Sequence, residues 1–231
     1  MKLLVMAMVL AFAAPGWAQE RPAADTARDA ARKPTEMVAF AGVKPGQVVA
    51  DMIPGGGYFT RVFSQAVGPQ GKVIAIIPAA AEAAYPEPTK AVRAMTANGW
   101  PNISVVSTPL DPAITGKLDM FWTAQNYHDL HNSQTPEQVL GFNKAVFAAL
   151  KPGGVYVIVD HAGREGTGIT ETKTLHRIDP AIIKSEVAAA GFKFDGESQT
   201  LRNPADPKTA AIFDPAIRGK TDQIVYRFKK P

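Results

Sequence analysis

The sequence predicts an open, doubly wound α/β fold with a mostly parallel sheet, on three observations. Apolar runs of strand length alternate with stretches of helical period along the chain. One of these runs, Lys72 to Ile77, is continuously apolar after its first residue, as a strand covered by helices on both faces requires. Val48-Val49-Ala50-Asp51-Met52-Ile53-Pro54-Gly55-Gly56-Gly57-Tyr58-Phe59-Thr60 reads as a buried strand ending in an acid, a glycine turn and the first turn of a helix. An open α/β sheet makes a nucleotide-sized crevice at its strand ends in this way. Glycine suits such a turn because the backbone takes conformations that a Cβ would forbid.

The elements follow in order. Gln19 to Lys33 is polar and alanine-rich and reads as a loosely held arm or a short helix, so residues 19–34 are expected to be a flexible arm and 35–231 the folded domain. A helix is predicted from Thr35 to Phe40, stopped by Gly42, and Lys44-Pro45-Gly46 turns the chain into the first strand, Val48 to Met52. Tyr58 to Val67 is helical and ends at Gly68-Pro69. The second strand follows, then a helical stretch from Ala79 to Ala97 broken at Pro86 and Pro88. Strands three and four are predicted at Ile103 to Ser107 and Lys117 to Thr123. Thr135, Pro136 and Gln138 make an N-cap, a first-turn proline and a capping box, and Val139, Phe142, Val146 and Leu150 then recur at helical spacing. Lys151-Pro152-Gly153-Gly154 stops that helix and feeds strand five, Val155 to Asp160. A further helix runs from Asp179-Pro180 to Ala190-Gly191, and two late strands, Phe192 to Phe194 and Gln223 to Phe228, are expected to pair antiparallel.

The first eighteen residues read as an export signal. Lys2 gives a positive start, Leu3 to Ala14 an apolar core too short to span a bilayer, and Gly16-Trp17-Ala18 a cleavage site. Cleavage after Ala18 leaves a chain beginning at Gln19, exported and expected in the periplasm, with no later run apolar enough for membrane insertion. Loss of Lys2 lowers the formal charge from +4 to +3, and the basic residues are scattered, so nucleic acid is not an expected partner. There is no cysteine, which excludes disulfides and thiol chemistry.

Chemistry-bearing residues gather after strands four and five. Asn126-Tyr127-His128-Asp129 places an amide, a phenol, an imidazole and a carboxylate at the carboxyl edge of the sheet, where they could orient a nucleophile and remove its proton. His128 is the natural base, since its ordinary pKa lies near neutrality. Asp160-His161 forms a second pair one strand over, with His161 either facing the crevice or solvated in the loop. Arg177 is expected to pair with Asp179 or with a carboxylate in the site, and Tyr85 to serve in core or lid packing or to stack on a ligand ring. His128 and His131 flank Asp129, but no third ligand follows at a recognised spacing, so no metal site is expected and a metal-assisted hydrolase ranks low. No Gly-x-Ser-x-Gly elbow is present for a serine hydrolase.

Over residues 35–230 this order of landmarks resembles the class I S-adenosylmethionine-dependent methyltransferases. The matching stretches are Asp51 with Gly55 and Gly57, Gly71 to Ala75, Leu118 to Phe121, and Leu150 to Gly154. It is most similar to a group of predicted bacterial methyltransferases with signal peptides, which share Pro54 to Gly57, Asn126 to Asp129 and Asp160-His161. The resemblance implies a seven-stranded Rossmann-like methyltransferase sheet with an antiparallel C-terminal strand. It implies that Pro54, Gly55, Gly56, Gly57 and Tyr58 hold the methionine half of S-adenosyl-L-methionine, with Asp51 near its amino or ribose end. His128, Asn126, Tyr127, Asp129 and His161 would line the side of a small-molecule methyl acceptor. Two positions depart from the family pattern: Ile53 stands where glycine is frequent, and Ile77 replaces the acid that ends the second strand and holds the ribose. Loss of that charge-assisted contact costs about 1.5–3 kcal/mol. The alternative is therefore a non-catalytic small-molecule-binding protein of the same fold.

Overall fold

The computed structural model describes residues 19–231 apart from 109, 110 and 113, so the export signal expected over residues 1–18 lies outside the described residues. Helices α1 (Ala23–Thr26), α2 (Asp29–Arg32) and α3 (Pro34–Ala41) precede β1 (Val48–Met52). Next come α4 (Tyr58–Val67), β2 (Lys72–Ile76), α5 (Ala79–Ala84), α6 (Pro86–Arg93) and β3 (Ile103–Val106). The second half runs β4 (Leu118–Ala124), α7 (Leu130–Ser133), α8 (Pro136–Ala149), β5 (Leu150–His161), α9 (Thr172–Leu175), α10 (Pro180–Ala189), β6 (Lys193–Ser198) and β7 (Gln223–Lys229).

The strands form one sheet in the order β3-β2-β1-β4-β5-β7-β6. Neighbours from β3 through β5 are parallel, and β7 lies antiparallel to both β5 and β6. This is the doubly wound, seven-stranded arrangement that the sequence predicts. Alternate side chains of each strand feed opposite layers, as the two-residue period demands. Val49, Ala75, Met120, Trp122 and Val157 pack under Met37, Phe63 and Val92 on one face. Ala50, Ile76, Phe121, Tyr156 and Ile158 pack under Val146, Ile183 and Val187 on the other. Each large side chain removed from water in these layers contributes about 1.5–3 kcal/mol.

Two local differences from the sequence reading have plain causes. Strand β5 begins at Leu150 rather than Val155, because the Lys-Pro-Gly-Gly stretch stays paired: Gly153 N donates to Lys230 O and Lys230 N to Gly154 O, both at 2.9 Å. Residues 19–34, read as a loosely held arm or a short helix, form α1 and α2 and are held against the domain. Arg61 of α4 donates from Nε to Asp25 Oδ2 (2.6 Å) and from Nη2 to Asp25 Oδ1 (2.9 Å), and the same Nη2 reaches Gly56 O at 2.9 Å. Tyr58 adds a hydroxyl bond of 2.5 Å to Asp29. Polarity misled the sequence reading here, since these charges are spent on buried pairing rather than on water.

Asp25 and Arg61 are both buried, so removing one partner strands the other in a poorly solvated place. Asp25→Ala is expected to lower unfolding free energy by about 3 kcal/mol and to expose residues 19–34 to limited proteolysis, both measurable on the purified protein. Unchanged stability and unchanged cleavage would contradict the docking described.

Candidate functional site

The direction of winding reverses between β1 and β4, and the loops that follow these two strands part to leave a crevice at the carboxyl edge. Its inner part is a cavity of about 250 Å³ lined by Asp51, Ile53, Pro54, Gly55, Arg32, Gln125, Asn126 and Asp129 among others. A second cavity, about 720 Å³, continues from Ile53, Tyr85, Asn126 and Asp129 toward Pro78, Ser107 and the start of α8. The larger cavity is mostly apolar, with polar groups at few places, in the volume range of sites for small organic ligands.

The glycine loop is built by backbone need. Gly55 and Gly57 have φ of 55° and 81°. A Cβ on Gly57 would lie 2.0 Å from Met95 Cε and 3.2 Å from Val92 Cγ2, so that glycine permits close packing of the start of α4 against α6 and the turn after it. Gly55 faces open space, which leaves its backbone accessible to a ligand. Ile53 also has positive φ, 51°, a conformation that strains a β-branched residue by about 1–3 kcal/mol. That strain accounts physically for the frequency of glycine at this position in the family the sequence resembles.

Asp51 is buried at the floor of the crevice, where Thr60 Oγ1 donates to Oδ2 at 2.6 Å. Burial pushes its carboxyl up to about 7, against smaller opposing effects from Thr60 and Arg32. Arg32 comes from α2 and was not singled out by its sequence context. Its guanidinium donates to Gln125 Oε1 at 3.3 Å and lies 5.1 Å from the centre of the Tyr58 ring. Burial, followed by repulsion from Arg28, lowers its pKa to about 10.

Of the residues assigned to a cofactor, Asp51, Pro54 and Gly55 line the crevice. Gly56 lends its carbonyl to Arg61, and Gly57 packs against α6. Tyr58 is corrected: it is buried, its hydroxyl is bound to Asp29, and it anchors the N-terminal arm. Burial and the Asp29 hydrogen bond raise its pKa to about 12. Ile77, at the end of the second strand, is fully buried in the core layer.

The residues after β4 separate into two groups. Asn126 lines both cavities and staples the loop to the sheet, with Nδ2 donating to Met52 O (3.2 Å) and Ala124 O (3.1 Å) while Thr123 Oγ1 donates to Oδ1. Asp129 is half-exposed at the boundary of the two cavities. Tyr127 is corrected from a site residue to a core anchor. Its hydroxyl donates to Glu186 (2.9 Å) and accepts from Asn143 (2.8 Å), and burial foremost raises its pKa far above the ordinary value.

His128 is buried against Asp160. Asp160 accepts from the His128 backbone N (2.7 Å), from His128 Nδ1 (2.8 Å) and from the His161 backbone N (2.7 Å). Burial alone would raise Asp160, but the nearby imidazole and these donors hold it below the ordinary carboxylate value. Burial likewise opposes the charged form of His128, yet Asp160 outweighs it and the imidazole is raised. In the neutral imidazole, with Nδ1 donating to Asp160, Nε2 carries the lone pair; that nitrogen lies 3.3 Å from His176 Nδ1 and 3.3 Å from Asp129 Oδ1.

His161 lies behind His128, 6.2 Å between ring centres, with Nδ1 on Thr221 Oγ1 at 2.8 Å. Burial above all lowers its pKa to about 4, so it stays neutral and supports the pair from the rear. Like His128 it belongs to neither cavity lining, and its place on the far side of His128 corrects its assignment to the acceptor side. Arg177 pairs with Asp206 (2.8 and 3.1 Å) and not with Asp179, which caps α10 through Ala181 N. The sequence reading gave His176 no role. Its only signal was an imidazole ahead of a capped helix, and the fold carries it across 48 positions to His128.

No protein-family model matches the sequence, and no curated protein sequence is similar to it. Among solved structures, it is similar to an S-adenosylmethionine-dependent methyltransferase from Aquifex aeolicus, with a TM-score of 0.63 at 18% identity over 92% of this chain and 100% of that one. Aeropyrum pernix fibrillarin, solved with natively bound S-adenosyl-L-methionine, gives 0.51 at 14% identity over 84% of this chain and 73% of its own. The [4+2]-cyclase SpnF gives 0.59 at 14% identity over 93% and 86%. At these identities the likeness is one of fold: the chain has the seven-stranded architecture of the S-adenosylmethionine-dependent methyltransferases.

Proposed function

We propose that this chain is an exported enzyme that transfers a methyl group from S-adenosyl-L-methionine to a small-molecule acceptor. The observation that carries this reading is the buried acid Asp51 beside the open backbone of Gly55, at the point where the sheet reverses. The residues present fit the cofactor's methionine half. Asp51 would take its ammonium group, Gly55 and Pro54 would flank its backbone, and Arg32 is near enough to the same cavity to meet its carboxylate. The larger cavity, beside Pro78, Ser107 and Tyr85, would take the adenosine without a carboxylate from the second strand.

When bound, S-adenosyl-L-methionine supplies a methyl group already activated on a positive sulfonium. The protein's share is then to align the acceptor and to activate its nucleophile. Asn126 and Asp129 border both cavities, so they face the junction of donor and acceptor. Activation falls to the His128 Nε2 lone pair, held in direction by Asp160. The export signal of residues 1–18 supports a periplasmic location.

A second reading, a binding protein without transfer, is favoured by Ile77, whose burial leaves no acid of β2 at the crevice. Calorimetry separates the two. Micromolar binding of S-adenosyl-L-methionine that is lost in Gly55→Asp supports the transferase, whereas no binding at millimolar cofactor sinks it. His128→Ala should abolish transfer and leave cofactor affinity unchanged; a fully active variant would remove His128 from the mechanism.

The Asp51 carboxyl supplies a pH test. Its pKa in the folded protein, about 7, lies above the ordinary 3.8, so the folded state keeps a proton that the unfolded chain has lost. Its contribution to stability is therefore greatest below about pH 4 and falls as pH rises toward 7. Asp51→Asn is expected to raise stability at neutral pH by up to about 4 kcal/mol and to weaken cofactor binding. Binding to the unsubstituted protein should tighten through pH 7 as the carboxylate forms. Equal affinity at pH 6 and 8 would contradict the role given to Asp51.

A further inference from the structure

We propose that His128 Nε2, His176 Nδ1 and Asp129 Oδ1 form a binding site for one divalent transition-metal ion, of the class represented by zinc. The three ligand atoms lie within 4.8 Å of one another, although their residues come from two separate loops, and Asp129 among them borders the crevice. His128 and Asp129 follow β4, and His176 closes α9 in a left-handed conformation, φ 53°. His128 is almost fully buried, whereas the His176 and Asp129 side chains are 30% and 49% exposed, so the point is reached from solvent on one side.

Geometry separates this arrangement from a plain hydrogen-bonded cluster. Metal–ligand distances of about 2.0–2.2 Å at tetrahedral angles put neighbouring ligand atoms roughly 3.3–3.6 Å apart. His128 Nε2 lies 3.3 Å from His176 Nδ1 and 3.3 Å from Asp129 Oδ1. The third edge, His176 Nδ1 to Asp129 Oδ1, is 3.8 Å, which a modestly opened angle accommodates. All three edges exceed the usual hydrogen-bond optimum of about 2.9 Å. A shared proton satisfies one edge, whereas a cation satisfies all three.

The surrounding bonds are those that orient metal ligands. His128 turns its other nitrogen to the Asp160 carboxylate at 2.8 Å, the usual carboxylate–histidine backing of a ligating imidazole. That bond also fixes the tautomer in which Nε2 has its lone pair free. Asn132 Nδ2 steadies Asp129 Oδ1 at 3.0 Å, and the His176 ring lies edge-on to Phe213 at 4.9 Å. Two imidazoles and one carboxylate favour zinc or a similar transition ion over magnesium or calcium, which prefer all-oxygen sites. Three protein ligands leave a coordination position open, as in catalytic rather than structural sites. Asp129 borders both cavities, so the open position would serve an oxygen of the acceptor, and with the ion bound His128 would act as a ligand, the ion taking over from its lone pair the task of lowering the acceptor's pKa. That role rests on the methyl-transfer reading, whereas the binding of a metal does not. The site also revises the expectation of no metal, which counted spacing along the chain and looked to His131. That imidazole turns instead to Glu186, 3.3 Å away.

The test uses purified protein, stripped with a chelator and then titrated with zinc alone by calorimetry and with cobalt(II) by visible absorption. We expect one equivalent to bind at micromolar or tighter affinity, with cobalt bands of a four- or five-coordinate site. His176→Ala and Asp129→Ala should each weaken binding at least tenfold, and Asp160→Asn should weaken it by about 10–100-fold. His131→Ala should bind as the unsubstituted protein does. Circular dichroism establishes that each variant is folded. Absence of a stoichiometric site, or equal affinity in His176→Ala and Asp129→Ala, would overturn the proposal, as would tighter binding of magnesium than of zinc. Separate titration with S-adenosyl-L-methionine distinguishes the failures: a protein that binds zinc but no cofactor refutes the transferase reading alone, and one that binds cofactor but no zinc refutes the metal site alone.

Discussion

Between β1 and β4 the sheet stops growing in one direction and starts growing in the other, and this reversal governs where everything else lies. Asp51 pairs in register with Trp122 and Met52 with Thr123, so the two strands end together. The helix after β1 and the chain after β4 then leave toward opposite faces, which opens a gap at the edge between them. Hydrogen bonding holds the gap at a fixed width, since Asn126 bridges from the β4 loop to the last carbonyl of β1. A ligand site at that edge follows from the topology before any particular side chain is considered.

Two carboxylates at this edge, both buried, are handled in opposite ways. Asp160 receives three donors, two of them backbone N–H groups, and is held as an anion that orders the His128 loop around it. Asp51 has Thr60 and the charge of Arg32, which offset only part of the cost of its burial. The first arrangement suits a structural anion that never changes state. The second suits a group awaiting a positive partner, because the arriving charge supplies what the protein withholds. Ile53, strained beside Asp51, places a second unfavourable element at the same spot.

Local signals in the chain were sufficient for the sheet, because alternating strand and helix periods, the Thr135 capping box and the Gly68-Pro69 stop are each written within a few residues. Strand β5 was misjudged at its start, since whether Gly153 pairs depends on Lys230, far away in sequence. The candidate site divided in the same way. Asp51, Gly55, Asn126 and Asp129 stand next to strand ends and were legible. Tyr127 sits in the same tetrapeptide but points the other way, toward Glu186 and Asn143, and a loop carries no period from which to read direction. His176 and Arg32 reach the crevice region from segments whose placement depends on tertiary pairing, so neither had a signal of its own.

Arg32 gives the N-terminal arm a meaning beyond anchorage. The arm is fastened through Asp25 and Asp29, yet its last helical residue is part of the wall of the inner cavity. Occupancy of that cavity and attachment of the arm thus share a residue, Arg32. A ligand whose affinity differs between the attached and the detached arm would shift that attachment by the same ratio.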